Sequence, residues 1–121
     1  MAVTTELKTI HHWIGGQQVQ GGSGRKGPVY NPATGEQTGE VDFASVEEVA
    51  RAVETAKQTF AAWRTWSLSK RAELFFRIYQ LVDEHRDDFA RTLTAEHGKV
   101  LSDANGEVQR GIEVIEYVCG I

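Results

Sequence analysis

The stretch VDFASVEEVARAVETAKQTFAAW, residues 41–63, holds the change of texture on which the fold turns. Ser45 is followed three residues later by Glu48, the capping-box arrangement in which each side chain satisfies a backbone N–H at a helix start. From there Val49, Val53, Ala56 and Phe60 recur at spacings of three and four, which predicts one apolar face of a helix. Upstream, His11 to Ala44 is rich in glycine, carries both prolines (Pro28, Pro32) and breaks into short β-prone runs. Downstream of Ser45 there is no proline.

Working back toward the N-terminus, the sequence predicts two hairpins. Trp13-Ile14 and Gln18-Val19 flank Gly15-Gly16, a pair suited to the positive φ angles of a tight turn. Pro28-Val29-Tyr30 and Thr38 to Val41 flank Asn31-Pro32-Ala33-Thr34-Gly35, all residues that favour turns. Residues 1–10 are expected to be extended or disordered, 11–44 to form the hairpins, and 45–121 to be helical. Isolated two-stranded hairpins are marginal in water, so a larger body is expected beside them.

Working forward, a second helix begins near Ser67. Its apolar set (Leu68, Ala72, Phe75, Phe76, Tyr79, Val82) is broad, with Leu74, Ile78 and Leu81 alongside, which implies contact on more than one side. A third helix runs from about Arg86 to His97, with Phe89 and Leu93 inward, and Gly98 stops it. The last runs from about Leu101 to Cys119 on a stripe of Leu101, Ala104, Val108, Ile112, Ile115 and Cys119, and Gly120 ends it. As a fold class this is α+β: two short hairpins, then about four helices. No internal repeat occurs, and no low-complexity tract beyond the Gly21–Gly24 loop.

Composition narrows the function. The 121 residues hold 40% hydrophobic and 25% charged residues, with a formal net charge of −4. That is the balance of a globular protein of at most one domain. There is no dense Lys/Arg stripe, so nucleic acid is not an expected partner. No run approaches the roughly 20 apolar residues of a membrane span, and the N-terminus lacks the pattern of a signal or transit peptide. A single cysteine excludes an internal disulfide framework and agrees with a reducing, cytoplasmic compartment.

Few residues suggest chemistry. The glycine-rich segments do not match the phosphate-cradling pattern that opens a helix after a strand. His11 and His12 are adjacent and would point to opposite faces of a strand, a poor metal pair. His85 and His97 sit near helix ends, where a cation complements the helix dipole. Cys119 continues an apolar stripe at a helix C-terminus, where the dipole disfavours a thiolate; packing is its expected role. Phe60, Trp63 and Trp66 lack the interleaved cations of a base-stacking surface and read as packing at a helix junction. No catalytic, cofactor-binding or metal-ligating residue is assigned.

Arg110 is the exception. At about 100° per residue it lies roughly half a turn from the centre of the apolar stripe, on the side of Asp103, Gly106 and Tyr117. Spacing leaves two readings open. One is a solvated arginine with i,i+3 support from Glu107 and Glu113; the other is a guanidinium fork that takes a carboxylate bidentately. Gly106 and Gly111 each cost the helix about 1 kcal/mol relative to alanine, which suggests that something approaches closely there.

These residues, taken in order, resemble a known family. Trp13-Ile-Gly-Gly, Asn31-Pro-Ala-Thr-Gly-Glu with Val41, Ala56 to Trp63, Arg71-Ala-Glu-Leu and Glu96-His-Gly-Lys are similar to the N-terminal part of aldehyde dehydrogenases. The likeness runs from about residue 10 to the end. Gly98-Lys-Val-Leu-Ser-Asp-Ala-Asn-Gly-Glu-Val-Gln-Arg-Gly-Ile-Glu-Val-Ile-Glu resembles in particular the CoA-acylating methylmalonate-semialdehyde dehydrogenases. The resemblance implies the outer strands and first helices of a Rossmann-type α/β NAD-binding domain. It implies a reaction in which methylmalonate or malonate semialdehyde, NAD and CoA give propionyl-CoA or acetyl-CoA with loss of carbon dioxide, a step of valine, pyrimidine and inositol breakdown.

The resemblance also implies that Arg110, the arginine of the Gly-Glu-Val-x-Arg-Gly motif, holds the substrate carboxylate. Family members are several times longer. Their catalytic cysteine, general-base glutamate and Rossmann glycines match nothing here, so the chain is expected to be an inactive piece whose uncovered apolar faces drive homo-oligomerisation. Two alternatives accompany this reading: an aldehyde or semialdehyde dehydrogenase that does not use CoA, and a stand-alone helical interaction module.

Overall fold

A computed structural model describes residues 7–121. The chain forms two compact units, residues 1–65 and 66–121.

The first unit contains β1 (Lys8–Ile10), β2 (His12–Ile14), β3 (Gln17–Val19), β4 (Lys26–Tyr30), β5 (Gln37–Asp42) and α1 (Val46–Trp63). β2 and β3 form the expected antiparallel hairpin, and its two turn glycines have φ of 63° and 78°. β4 and β5 form the second hairpin, whose loop is held by the Asn31 side chain accepting from the Ala33 amide at 2.9 Å. Of the N-terminal stretch 1–10, residues 1–6 lie outside the described residues. Lys8–Ile10 is a strand that pairs parallel to β5, giving the order β1-β5-β4. The strands meet closely at Gly39, where a Cβ would stand 2.7 Å from the Lys8 carbonyl oxygen.

Helix α1 begins as expected. Ser45 Oγ accepts from the Glu48 amide at 3.2 Å, and a Glu48 carboxylate oxygen accepts from the Ser45 amide at 2.7 Å. The expected apolar face is not the one buried, however: Val49, Val53 and Phe60 are exposed, Val53 at 62%. The side turned inward carries Glu48, Ala52 and Thr55. The rotation follows from Glu48, whose carboxylate also accepts from the Gly22 amide at 2.6 Å and so fixes the face that meets the Gly21–Gly24 loop.

The second unit is three helices: α2 (Leu68–Glu84), α3 (Arg86–His97) and α4 (Leu101–Cys119). Ser67 caps α2 by accepting from the Lys70 amide at 3.2 Å. α3 ends at Gly98 in the left-handed conformation, φ 82°. The core is Ala90, Ala104, Val108 and Ile112, with Tyr79, Val82 and Leu93 packed against it. On α3, Leu93 packs inward as expected, but Ala90 takes the place expected of Phe89, which is 49% exposed. The small side chain lets α3 and α4 approach, and Phe89, one residue earlier, is carried off the core by the helical rotation. No helix of the described residues is long and apolar enough to cross a membrane.

Candidate functional site

Helix α4 carries its core residues Ala104, Val108 and Ile112 on one side and a polar stripe on the other. Gly98 turns the chain between α3 and α4, so that Lys99 precedes the first turn of α4. Lys99, Ser102, Asp103, Gly106, Glu107 and Arg110 line a shallow cavity of about 330 Å³. Spacings of three and four keep the helical members of that set on one face.

Glu107 accepts a hydrogen bond from Lys99 Nζ, and the ammonium holds its carboxyl below the ordinary value of 4.5. Arg110 is exposed and makes no hydrogen bond or ion pair with any described residue, though its charge adds weakly to the field on Glu107. Sequence reasoning placed Asp103 and Gly106 beside Arg110 and missed Lys99 and Ser102. Tyr117, expected near the same face, does not line the cavity. A Cβ at Gly106 or Gly111 would meet nothing within 4 Å, so no described residue makes the close approach their presence suggested.

The arrangement offers one unengaged guanidinium beside a neutralised Lys–Glu pair. It can bind a planar anion through the fork, and it contains no nucleophile activated by a neighbouring base. Cys119 is free and partly buried.

His11 and the Gly21–Gly24 loop are used in building the first unit. His11 Nδ1 lies 2.7 Å from Asp42 Oδ2, and the Gly21 amide donates to the same oxygen at 2.8 Å. Asp42 is only 6% exposed, and the His11 bond and then the Gly21 amide hold its carboxyl below the usual 3.8. Glu48 is likewise held low, by the Ser45 amide and then the Gly22 amide. Buried His12 Nε2 has no partner among the described residues. Among the described residues no group of three or more His, Cys, Asp or Glu is placed to hold a metal ion.

Neither glycine-rich segment is built as a dinucleotide cradle. Gly15-Gly16 is a hairpin turn, and the amides of the Gly21–Gly24 loop point at two carboxylates, which would repel a phosphate. Trp13, Ala52, Ala56, Thr59, Phe60 and Trp63 line an apolar groove of about 650 Å³ between the β2–β3 hairpin and α1.

Comparison with known proteins identifies the class. Residues 19–121 match the aldehyde dehydrogenase family, and the chain belongs to that family. It is 50% identical over 117 residues to malonate-semialdehyde dehydrogenase 3 of Geobacillus kaustophilus, covering 97% of this chain and 24% of the relative. It is 40% identical to the malonate-semialdehyde dehydrogenase of Pseudomonas aeruginosa, covering 93% and 22%. The chain thus spans about a quarter of the length of these relatives.

Among solved structures, methylmalonate-semialdehyde dehydrogenase of Oceanimonas doudoroffii superposes with a TM-score of 0.90 at 44% identity, over 94% of this chain and 23% of that one. A Sinorhizobium meliloti protein assigned the same activity, solved with NAD, gives 0.93 at 39% identity over 97% and 24%. The fold is therefore that of an N-terminal segment of the aldehyde dehydrogenase fold.

Proposed function

We propose that this chain supplies the substrate-carboxylate anchor, Arg110, of a CoA-acylating dehydrogenase of malonate or methylmalonate semialdehyde. The overall reaction would consume semialdehyde, CoA and NAD and release acetyl-CoA or propionyl-CoA, carbon dioxide and NADH. No residue of this chain is assigned a bond-making step. The observation that carries the reading is an exposed arginine, without a partner among the described residues, lining a cavity on α4. A carboxylate entering an active site needs such a group, because burying an unpaired anion is costly. The similarity to malonate- and methylmalonate-semialdehyde dehydrogenases supports the substrate class. A cytoplasmic location accords with the free cysteine, and self-association accords with the exposed Val49, Val53, Phe60, Phe76 and Leu81.

The test is kinetic, in a full-length dehydrogenase carrying this sequence. Arg110→Gln should raise KM for 3-oxopropanoate roughly 10- to 100-fold, the range of a lost charged hydrogen bond. KM for propanal, which has no carboxylate, should stay within about twofold because the arginine has nothing to bind on it. Equal effects on both aldehydes would remove Arg110 from the role.

A further inference from the structure

Arg110 stands between two glutamates, Glu107 three residues before it and Glu113 three residues after. At that spacing a carboxylate and a guanidinium pair readily across a helix surface. Neither pair forms. Glu107 accepts from Lys99 Nζ, and Glu113 Oε1 accepts from Gln109 Nε2 at 3.1 Å. The Lys99 side chain is 17% exposed and reaches Glu107 from before the first turn of α4.

We propose that Lys99 is a positioning residue: it engages Glu107, so that the guanidinium meets an incoming carboxylate without an ion pair of its own to break. Gln109 acts in the same sense on Glu113. The inference rests on the reading of Arg110 as the carboxylate anchor. Physically it is a competition. Without the ammonium, Glu107 is a free carboxylate three residues from Arg110 in the lining of the same cavity, and an intramolecular carboxylate outcompetes a dilute substrate for the same fork.

The experiment uses the same full-length dehydrogenase, with 3-oxopropanoate and propanal as paired probes. Lys99→Met should raise KM for 3-oxopropanoate roughly threefold to fivefold, the effect of one exposed ion pair, with kcat and KM for propanal unchanged. Adding Glu107→Gln to Lys99→Met should return KM to the parental value, and Lys99→Arg should stay near it. A KM that does not move in Lys99→Met, that rises equally for both aldehydes, or that Glu107→Gln fails to restore would overturn the proposal.

A second measurement needs no turnover. In the 121-residue chain, the Arg110 Nε–H NMR resonance should shift in Lys99→Met and return in the double variant. An unmoved resonance counts against Lys99 on its own. If Arg110→Gln fails to distinguish the two aldehydes, the anchor reading fails instead, while the resonance still reports whether Lys99 withholds Glu107 from Arg110.

Discussion

Glycines show how differently the same residue is used along this chain. At Gly21 a Cβ would stand 2.7 Å from the Cβ of Asp42, a buried residue that cannot move aside. Gly21→Ala should therefore destabilise the protein by about 1–3 kcal/mol, as overpacking does, seen as a lower urea midpoint. Gly106 lies exposed in the middle of α4 with open space around the missing Cβ. Gly106→Ala should raise stability by about 1 kcal/mol through helix propensity alone. If Arg110 receives a substrate carboxylate across Gly106, the same change should raise KM for 3-oxopropanoate in the full-length enzyme, separating the local cost of the glycine from its use.

Elements are held by polar anchors in the first unit and by packing in the second. Asp42 and Glu48 together hold the Gly21–Gly24 loop to β5 and α1. Both carboxyls titrate lower in the folded chain than in an unfolded one. The unfolded state therefore binds more protons as pH falls, and the stability they contribute is present above their ordinary values, 3.8 and 4.5. It is lost as pH drops through their lower folded values. The urea midpoint should fall steeply from about pH 5 to about pH 3, and less steeply in Asp42→Asn. A slope unchanged in Asp42→Asn would show that this carboxylate carries none of the dependence.

In the second unit Ile112 is the largest fully buried side chain, 2% exposed, against two core alanines. Ile112→Ala should cost about 2–5 kcal/mol, enough to abolish cooperative unfolding of α2–α4. Circular dichroism would register it, and a variant with an intact transition would show that the core extends beyond these residues. The caps at Ser45 and Ser67 and the stop at Gly98 were legible in the sequence because each is satisfied within a few residues. Strand β1 was not, since three residues carry little pattern and their partner lies in β5, some thirty residues on.

At the scale of the whole molecule, large apolar side chains remain on the surface of both units, among them Val53, Phe60, Leu68, Phe76 and Leu81. Surfaces of this kind associate when concentrated. Sedimentation velocity from micromolar to millimolar concentration should show an average mass rising above the 13.5 kDa of one chain. A single species at that mass throughout would refute self-association. The candidate site was legible only in part at this scale. Arg110 stood out by its position opposite the apolar stripe, but its surroundings depend on Lys99, which precedes the helix and so falls outside any count along its face.

Local chemistry, then, determined what kind of element stands where: hydrogen bonds of caps and turns close over a few residues, and the helical period needs only the order of apolar side chains. Which face of α1 turns inward, which α3 residue enters the core, and whether Glu107 pairs with Lys99 or Arg110 were decided by tertiary structure. In each case two groups compete for one partner, and the outcome is set by distances between segments that sequence order leaves open.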